Sequence, residues 1–78
     1  MTKLDKLIDK IRARPVEARF SDVQRLLYAF GWTIGREKGS HVSFVKNGQA
    51  PLVIPKAGGT MVKQVYLDTI CQRLGLDD

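Results

Sequence analysis

The spacing of apolar residues changes at Gly31-Trp32, and this change constrains the fold more than any other feature of the sequence. Before it, Val23, Leu26, Leu27 and Phe30 stand at i, i+3, i+4 and i+7, which is the spacing of one helix face. After it, apolar and polar residues alternate with a period of two, which is typical of strands with one buried face. A helix followed directly by such strands buries both apolar surfaces by packing them together, so the sequence predicts an α+β domain.

Turn residues divide the alternating region into three strands. The first runs from Trp32 to Lys38 and the second from His41 to Val45, with Gly39-Ser40 as the turn between them. Asn47-Gly48 predicts a hairpin with a type I′ turn, in which both central residues need positive φ. Leu52, Val53 and Ile54 form a third strand that ends at Pro55. The prediction is a three-stranded antiparallel meander.

One helix is predicted before this meander in the sequence and another after it. Ser21 can cap the helix before it, with Gln24 completing a capping box. Thr60 can cap a final helix that ends at Gly75 and has one broad apolar face, made of Val62, Val65, Tyr66, Ile70 and Leu74. Both helices are expected on one face of the sheet, which leaves the opposite face to solvent or to a partner.

A further amphipathic helix is predicted at the N-terminus. Leu4, Leu7, Ile8 and Ile11 share one face, Thr2 can act as N-cap, and Pro15 ends the pattern. We therefore expect residues 1–19 to be an N-terminal helix with a linker, and residues 20–78 to form the functional domain. The extra helix is expected to pack on the domain, on a second copy, or on a partner, so that it could support a homo- or hetero-oligomer.

Composition limits the partners and the cellular setting. The net charge of +5 and the pI near 9.7 favour phosphate backbones, anionic membrane surfaces or an acidic protein as partners. Cys71 is the only cysteine, so neither a disulfide framework nor a cysteine-rich metal site is expected. The sequence has no signal-peptide pattern and no apolar run of membrane-spanning length. We expect a cytoplasmic protein without a metal or another cofactor.

One cluster of residues could carry chemistry. His41 follows a turn that is rich in phosphate-binding residue types, and Lys46 and Lys56 lie within reach of the same predicted sheet. The candidate binding residues are Arg36, Lys38, Gly39, Ser40, Lys46 and Lys56. Imidazole exchanges protons near neutral pH, and cations can hold a phosphate and stabilise a transition state with extra negative charge. RNA supplies its own nucleophile, the 2′-hydroxyl, so these residues suffice for RNA cleavage without a metal.

A noncatalytic interpretation of the same cluster is open at this point. On residue type alone, a single histidine at the start of a strand is more often a surface or hydrogen-bonding residue than a catalyst. The alternative is therefore an RNA-binding module of the same fold, in which His41 only contacts RNA or backbone. Both interpretations predict RNA binding that weakens with salt.

An ordered set of motifs resembles the HicA (YcfA-like) mRNA interferase toxins of type II toxin–antitoxin systems. The motifs are Gly31-Trp32 after an amphipathic helix, an Arg-x-x-Gly-Ser-His pattern from Arg36 to His41, Pro55 at the end of the third strand, and Leu74-Gly75-Leu76. The resemblance covers about residues 20 to 76. It implies a double-stranded-RNA-binding-like α-β-β-β-α fold, an endoribonuclease that cleaves mRNA, and a HicB-like antitoxin that masks the site.

The resemblance also assigns residue roles. His41 takes the position of the family's catalytic histidine, as general base or general acid, with Lys38 and Arg36 on the phosphate. The sequence departs from the family pattern in two places. Many members carry a second histidine shortly after the strand-three proline, where this chain has Lys56 and Ala57, and the compact pattern lacks residues 1–19. With one histidine, water or a lysine is expected to transfer the second proton.

Overall fold

The computed structural model describes residues 2–77 and confirms the α+β prediction. The elements, in chain order, are α1 (Lys3–Arg12), β1 (Glu17–Arg19), α2 (Phe20–Ala29), β2 (Thr33–Lys38), β3 (His41–Val45), β4 (Leu52–Pro55), β5 (Met61–Lys63) and α3 (Gln64–Leu74). Strands β2, β3 and β4 form an antiparallel sheet in that order. The run from α2 to α3 therefore contains the predicted α-β-β-β-α arrangement.

The three-stranded sheet has one buried face and one open face. Val42, Phe44, Leu52 and Ile54 are buried, and their core also contains residues of α2 and α3, namely Val23, Leu26, Leu27, Leu67, Ile70 and Cys71. We call this the inner face. The side chains that alternate with these residues along β3 and β4 point away from the helices, and they define the outer face. Helices on one face and an open opposite face were both predicted from the period of two.

A second, two-stranded sheet was not predicted. β1 pairs antiparallel with β5, with Glu17 opposite Lys63 and Arg19 opposite Met61. Because β5 uses residues 61–63, the last helix begins at Gln64 with Lys63 as its N-cap, so the prediction of a helix from Thr60 was wrong. Val62 is buried in that strand, and Val65, which the helical pattern placed on the apolar face, is 63% exposed.

The same strand pairing explains why Ser21 does not cap α2. The N-cap is Arg19, whose side chain forms no capping hydrogen bond, and Ser21 lies inside the first turn. Arg19 is extended because it pairs with Met61, and the next backbone N–H, of Phe20, donates to the carbonyl of Thr60 at 2.7 Å. The helix therefore starts where the strand ends, and the predicted capping box with Gln24 is not formed.

The loop between β3 and β4 also differs from the prediction. Gly48 has a φ of 80°, and the backbone N–H of Gln49 donates to the carbonyl of Lys46 at 3.0 Å. Arg14 is the one non-glycine residue between 2 and 77 with positive φ, so Asn47 lacks the positive φ that a type I′ turn requires. A turn with positive φ only at its third residue is of type II.

The first strand of the meander starts one residue later than predicted. Trp32 is buried but precedes β2, which starts at Thr33.

The N-terminal helix packs on the rest of the domain. Thr2 caps α1, as predicted, and the structure adds a capping box in which Asp5 is its partner. Ile11 is fully buried. Lys10 Nζ lies 2.8 Å from the Asp22 carboxylate on α2. None of the helices within residues 2–77 is both long and apolar enough to cross a membrane.

Arg14 connects the end of this segment to α3. Its Nε donates to Asp68 Oδ1 at 2.8 Å, and another guanidinium nitrogen donates to Asp77. The hydrogen bond to Asp77, and to a smaller extent the one to Asp68, raises the pKa of Arg14 above its ordinary value. The backbone carbonyl of Arg14 accepts a hydrogen bond from Gln64 Nε2 at 2.7 Å. α1 is thus held against α2 on one side and α3 on the other.

Candidate functional site

Three of the predicted site residues lie together on the outer face. His41 begins β3 and lies directly opposite Lys38 of β2, with Pro55 of β4 as its other neighbour. Arg36 lies opposite Ser43, one row further along the same face. Directly opposed residues in antiparallel strands have Cβ atoms about 5 Å apart, and diagonal neighbours about 7–8 Å. His41 therefore has one cation beside it and a second within reach of long side chains.

A β-bulge brings these cations to the outer face. Ile34 pairs with Phe44 and Arg36 pairs with Ser43, so Gly35 is an extra residue in β2. Without it, the alternation of strand side chains would place Gly35 opposite Ser43 and Glu37 opposite His41. The bulge instead places Lys38 opposite His41 and turns Glu37 to the inner face, opposite Val42. A carboxylate is thus exchanged for an ammonium group next to the histidine.

Gly35 suits the bulge because Val45 occupies the space above it. A Cβ atom at Gly35 would lie 2.9 Å from Val45 Cγ1 and 3.1 Å from Val45 Cγ2. Such contacts are too short for unstrained carbon atoms. The absence of a side chain at position 35 therefore allows β2 and β3 to approach where the register shifts.

The charged groups at this site are available to a ligand. His41, Lys38 and Arg36 are all exposed. Within the part of the chain that the structure describes, the His41 ring forms no hydrogen bond, and neither Lys38 nor Arg36 is paired with a carboxylate. The arrangement can therefore accept an anion on the open face without first breaking an internal ion pair.

Gly39 and Ser40 form the tight turn that joins Lys38 to His41. Gly39 has a φ of 57°, and the space where its Cβ would be is open. The Ser40 carbonyl accepts a hydrogen bond from the backbone N–H of Lys56 at 2.7 Å, which fixes the turn against the end of β4. Backbone is exposed at Gly39 beside Lys38, where a phosphate could approach closely.

The structure places the Lys56 side chain on the other side of the sheet. Its Nζ lies 4.9 Å from the centroid of the Phe20 ring and 3.9 Å from Glu37 Oε2. Its side chain is only 19% exposed. Lys56 is thus next to the turn through its backbone, but its ammonium group faces α2 rather than His41.

Lys46 is separated from His41 by the length of β3. Five residues at about 3.3 Å per residue give a separation on the order of 16 Å. Lys46 Nζ donates a hydrogen bond to the carbonyl of Phe30, the C-cap of α2, at 2.7 Å, and its side chain passes over Gly31. This ammonium group occupies the negative end of a helix.

Two residues near the site were not singled out from the sequence. Ser43 is half-buried on the outer face between Arg36 and Val53, and Glu37 lies near the Lys56 ammonium on the inner side. For the lysines at positions 46 and 56, by contrast, the period of two contained a signal that their grouping by charge ignored. Continued one residue beyond each strand, it turns Lys46 and Lys56 to the inner side, away from His41.

The chemistry available here is proton exchange beside two cations. No three His, Cys, Asp or Glu side chains in residues 2–77 lie close enough together to hold a metal ion. Cys71 is buried in α3, and burial raises the pKa of its thiol, so it remains a weak nucleophile.

Comparison with known proteins identifies a family for this chain. The family model for the HicA toxin of bacterial toxin-antitoxin systems matches residues 20–76, which is more than half of the chain and includes every residue from α2 to α3. No curated protein and no solved structure gives a significant match.

Proposed function

The chain belongs to the HicA toxin family of bacterial toxin–antitoxin systems, as its motifs predicted, and on that premise we propose that it is an endoribonuclease that cleaves mRNA. His41 is the catalytic residue in this proposal, and Lys38 and Arg36 bind the scissile phosphate. The observation that carries it is the pairing of Lys38 with His41 on the open face, next to Arg36. Cleavage of mRNA would stop translation and growth until an antitoxin neutralises the chain.

The proposed reaction uses the 2′-hydroxyl of RNA as nucleophile. A base removes its proton, O2′ attacks the adjacent phosphorus, and the bond from phosphorus to the 5′-oxygen breaks as an acid donates a proton to that oxygen. The products are a 2′,3′-cyclic phosphate and a 5′-hydroxyl. His41 performs one of the two proton transfers, and water or a lysine performs the other, because the chain has one histidine.

The cations have a distinct role in this reaction. The phosphorane transition state carries more negative charge than the starting diester. Lys38, directly opposite His41, is positioned to stabilise that charge, and Arg36 can hold the phosphate from the next row through two parallel N–H donors. The exposed backbone at Gly39 and Ser40 provides room for the RNA strand beside the turn.

Lys46 and Lys56 were the other two predicted phosphate contacts. We propose a structural role for each of them, because both ammonium groups already have partners within the chain.

Membership of the family implies an antitoxin partner. We propose that this is a HicB-like protein which covers the outer face and thereby blocks access to His41. Residues 20–78 carry the nuclease in this proposal, and residues 1–19 are an addition to it. We further propose action in the cytoplasm, where mRNA is available, with no cofactor.

The test is cleavage of a defined RNA by purified wild-type chain and by His41→Ala. We expect wild type alone to cut, with EDTA present, and mass spectrometry to show 2′,3′-cyclic phosphate ends. A matched RNA with 2′-deoxyribose at the cut position should resist cleavage there. Products with 3′-hydroxyl ends would contradict the mechanism, because they require an external nucleophile.

The noncatalytic alternative makes a different prediction for the same two proteins. If wild type and His41→Ala both bind RNA equally and neither cuts it, while circular dichroism shows both folded, the chain is an RNA-binding module. Growth arrest upon induced expression of wild type but not of His41→Ala would support the nuclease in cells.

A further inference from the structure

The apolar face of α1 is only partly covered by the domain. Ile11, near its C-terminal end, is fully buried, Leu7 is half-buried, and Leu4 near its start is 37% exposed. The uncovered part lines a groove between α1 and α2, whose floor is formed by Leu4, Leu7 and Ala29. The groove thus offers an aliphatic surface that the chain itself leaves open.

The rim of this groove is positive. Lys3, Lys6 and Arg25 line it, and within residues 2–77 none of the three is paired with a carboxylate. Lys10 and Asp22 also line it, but they neutralise each other at 2.8 Å. The groove therefore combines an aliphatic floor with three cations that lack internal partners.

These properties fit an acidic polypeptide better than RNA. Single-stranded RNA is usually bound where bases can stack on aromatic rings, and none of the residues that line the groove is aromatic. An amphipathic peptide needs an apolar floor for one side and opposite charges for the other, and this groove supplies both. Its location also separates it from the outer face, because α1 packs on helices that cover the inner face of the sheet.

We propose that the groove between α1 and α2 docks an acidic amphipathic segment of the antitoxin. Its apolar side chains pack on Leu4 and Leu7, and its carboxylates face Lys3, Lys6 and Arg25. The inference rests on the proposed function for the identity of the partner. α1 lies outside the residues that match the family, so the surface is an addition to whatever contact covers His41. Two separate contacts on one antitoxin bind more tightly than either alone.

The experiment measures the affinity of the full chain for its purified cognate antitoxin by titration calorimetry. All proteins carry His41→Ala so that they can be produced. Lys3→Glu/Lys6→Glu is compared with Arg12→Glu/Lys63→Glu, which changes the net charge equally at exposed positions that do not line the groove. Acidic residues are favourable in the first turn of a helix, so the groove variant should fold. A third variant, Leu4→Ala, tests the floor.

We expect the dissociation constant of the groove variant to rise by about tenfold or more, and that of the control by much less. Leu4→Ala should weaken binding several-fold with little dependence on salt. Equal losses in the groove and control variants would overturn the proposal, because they would indicate nonspecific attraction. The proposal would also be overturned if Lys3→Glu/Lys6→Glu weakened binding of a single-stranded RNA but not of the antitoxin. If the chain with an unaltered groove does not bind the antitoxin at all, the proposed partner is also wrong. If every variant binds the antitoxin normally, only the proposal about the groove is overturned.

Discussion

Lys46 donates a hydrogen bond from its ammonium group to the carbonyl oxygen of Phe30, 2.7 Å away, and so connects the end of β3 to the C-terminus of α2. This contact gives Lys46 a structural explanation that requires no ligand. It also makes the lysine a useful comparison for Lys38, which has the same charge but lies beside His41.

Lys46→Met should lower stability without affecting RNA cleavage. Methionine keeps the aliphatic stem over Gly31 but removes the charged hydrogen bond at the helix end. For a contact exposed to solvent, we expect a loss of about 0.5–1 kcal/mol in the free energy of unfolding, measured with urea. The activity of the folded variant should match wild type. A large drop in activity at unchanged stability would instead place Lys46 on the RNA.

Lys38→Ala should lower the cleavage rate strongly and stability little. Lys38 is exposed, and it has no carboxylate partner within residues 2–77, so its loss breaks no internal ion pair. Loss of one group that stabilises the transition state commonly costs about 100-fold in kcat. The measurement is single-turnover cleavage of a defined RNA, with Lys63→Ala as control, because Lys63 is an exposed lysine of β5. Equal rates for the two variants would remove Lys38 from the mechanism.

Gly35→Ala should destabilise the sheet through contact with Val45. The added methyl group would lie 2.9 Å from Val45 Cγ1, and relief of such a clash costs about 1–2 kcal/mol. Val45 is 37% exposed, so Val45→Ala alone should cost less than a buried valine would. The test is a double-mutant cycle by urea unfolding. We expect Gly35→Ala to be milder in the Val45→Ala background, whereas simple additivity would mean that the clash is not the cause.

Stability should decline at alkaline pH because of Cys71. Burial raises the pKa of this thiol above its usual 9.0. A group with a raised pKa in the folded state contributes stability that is fully present below the unfolded pKa and is lost as pH rises through the folded pKa. The free energy of unfolding should therefore fall above about pH 9.

Cys71→Ala isolates this contribution from other groups that titrate at high pH. The variant should be less stable at pH 7, because a buried side chain is shortened, but its stability should fall less between pH 8 and pH 10 (roughly the range in which thiols titrate). Parallel pH profiles for wild type and variant would contradict the assignment. Slow alkylation of Cys71 in the folded chain would be independent support.

The sequence contained enough information for the main sheet but not for the small one. Alternation over Val42, Phe44, Leu52 and Ile54 predicted the buried face, because a period of two leaves little choice of register. β1 and β5 are three residues each, too short for any periodic pattern. Their pairing is a tertiary contact, and it overrode the local preference of Ser21 for a helix cap.

The site was predictable in part for the same reason. His41 and its neighbours in the turn are consecutive in sequence, so a motif located them. The side on which Lys38 and Arg36 lie depends on the bulge at Gly35, which no alternating pattern reveals. Lys46 and Lys56 were grouped with them by charge alone, although the alternation of strand side chains turns both inward.

The pairing of β1 with β5 has a consequence for how the chain folds during its synthesis. Residues 17–19 leave the ribosome long before their partners at 61–63, so β1 has no strand partner while the β2-β3-β4 meander is synthesised. Arg14 likewise has no carboxylate partner until Asp68 and Asp77 have been synthesised. We expect the nascent chain to form the hairpin that carries His41 first, and to dock its N-terminal helix only after α3 has emerged.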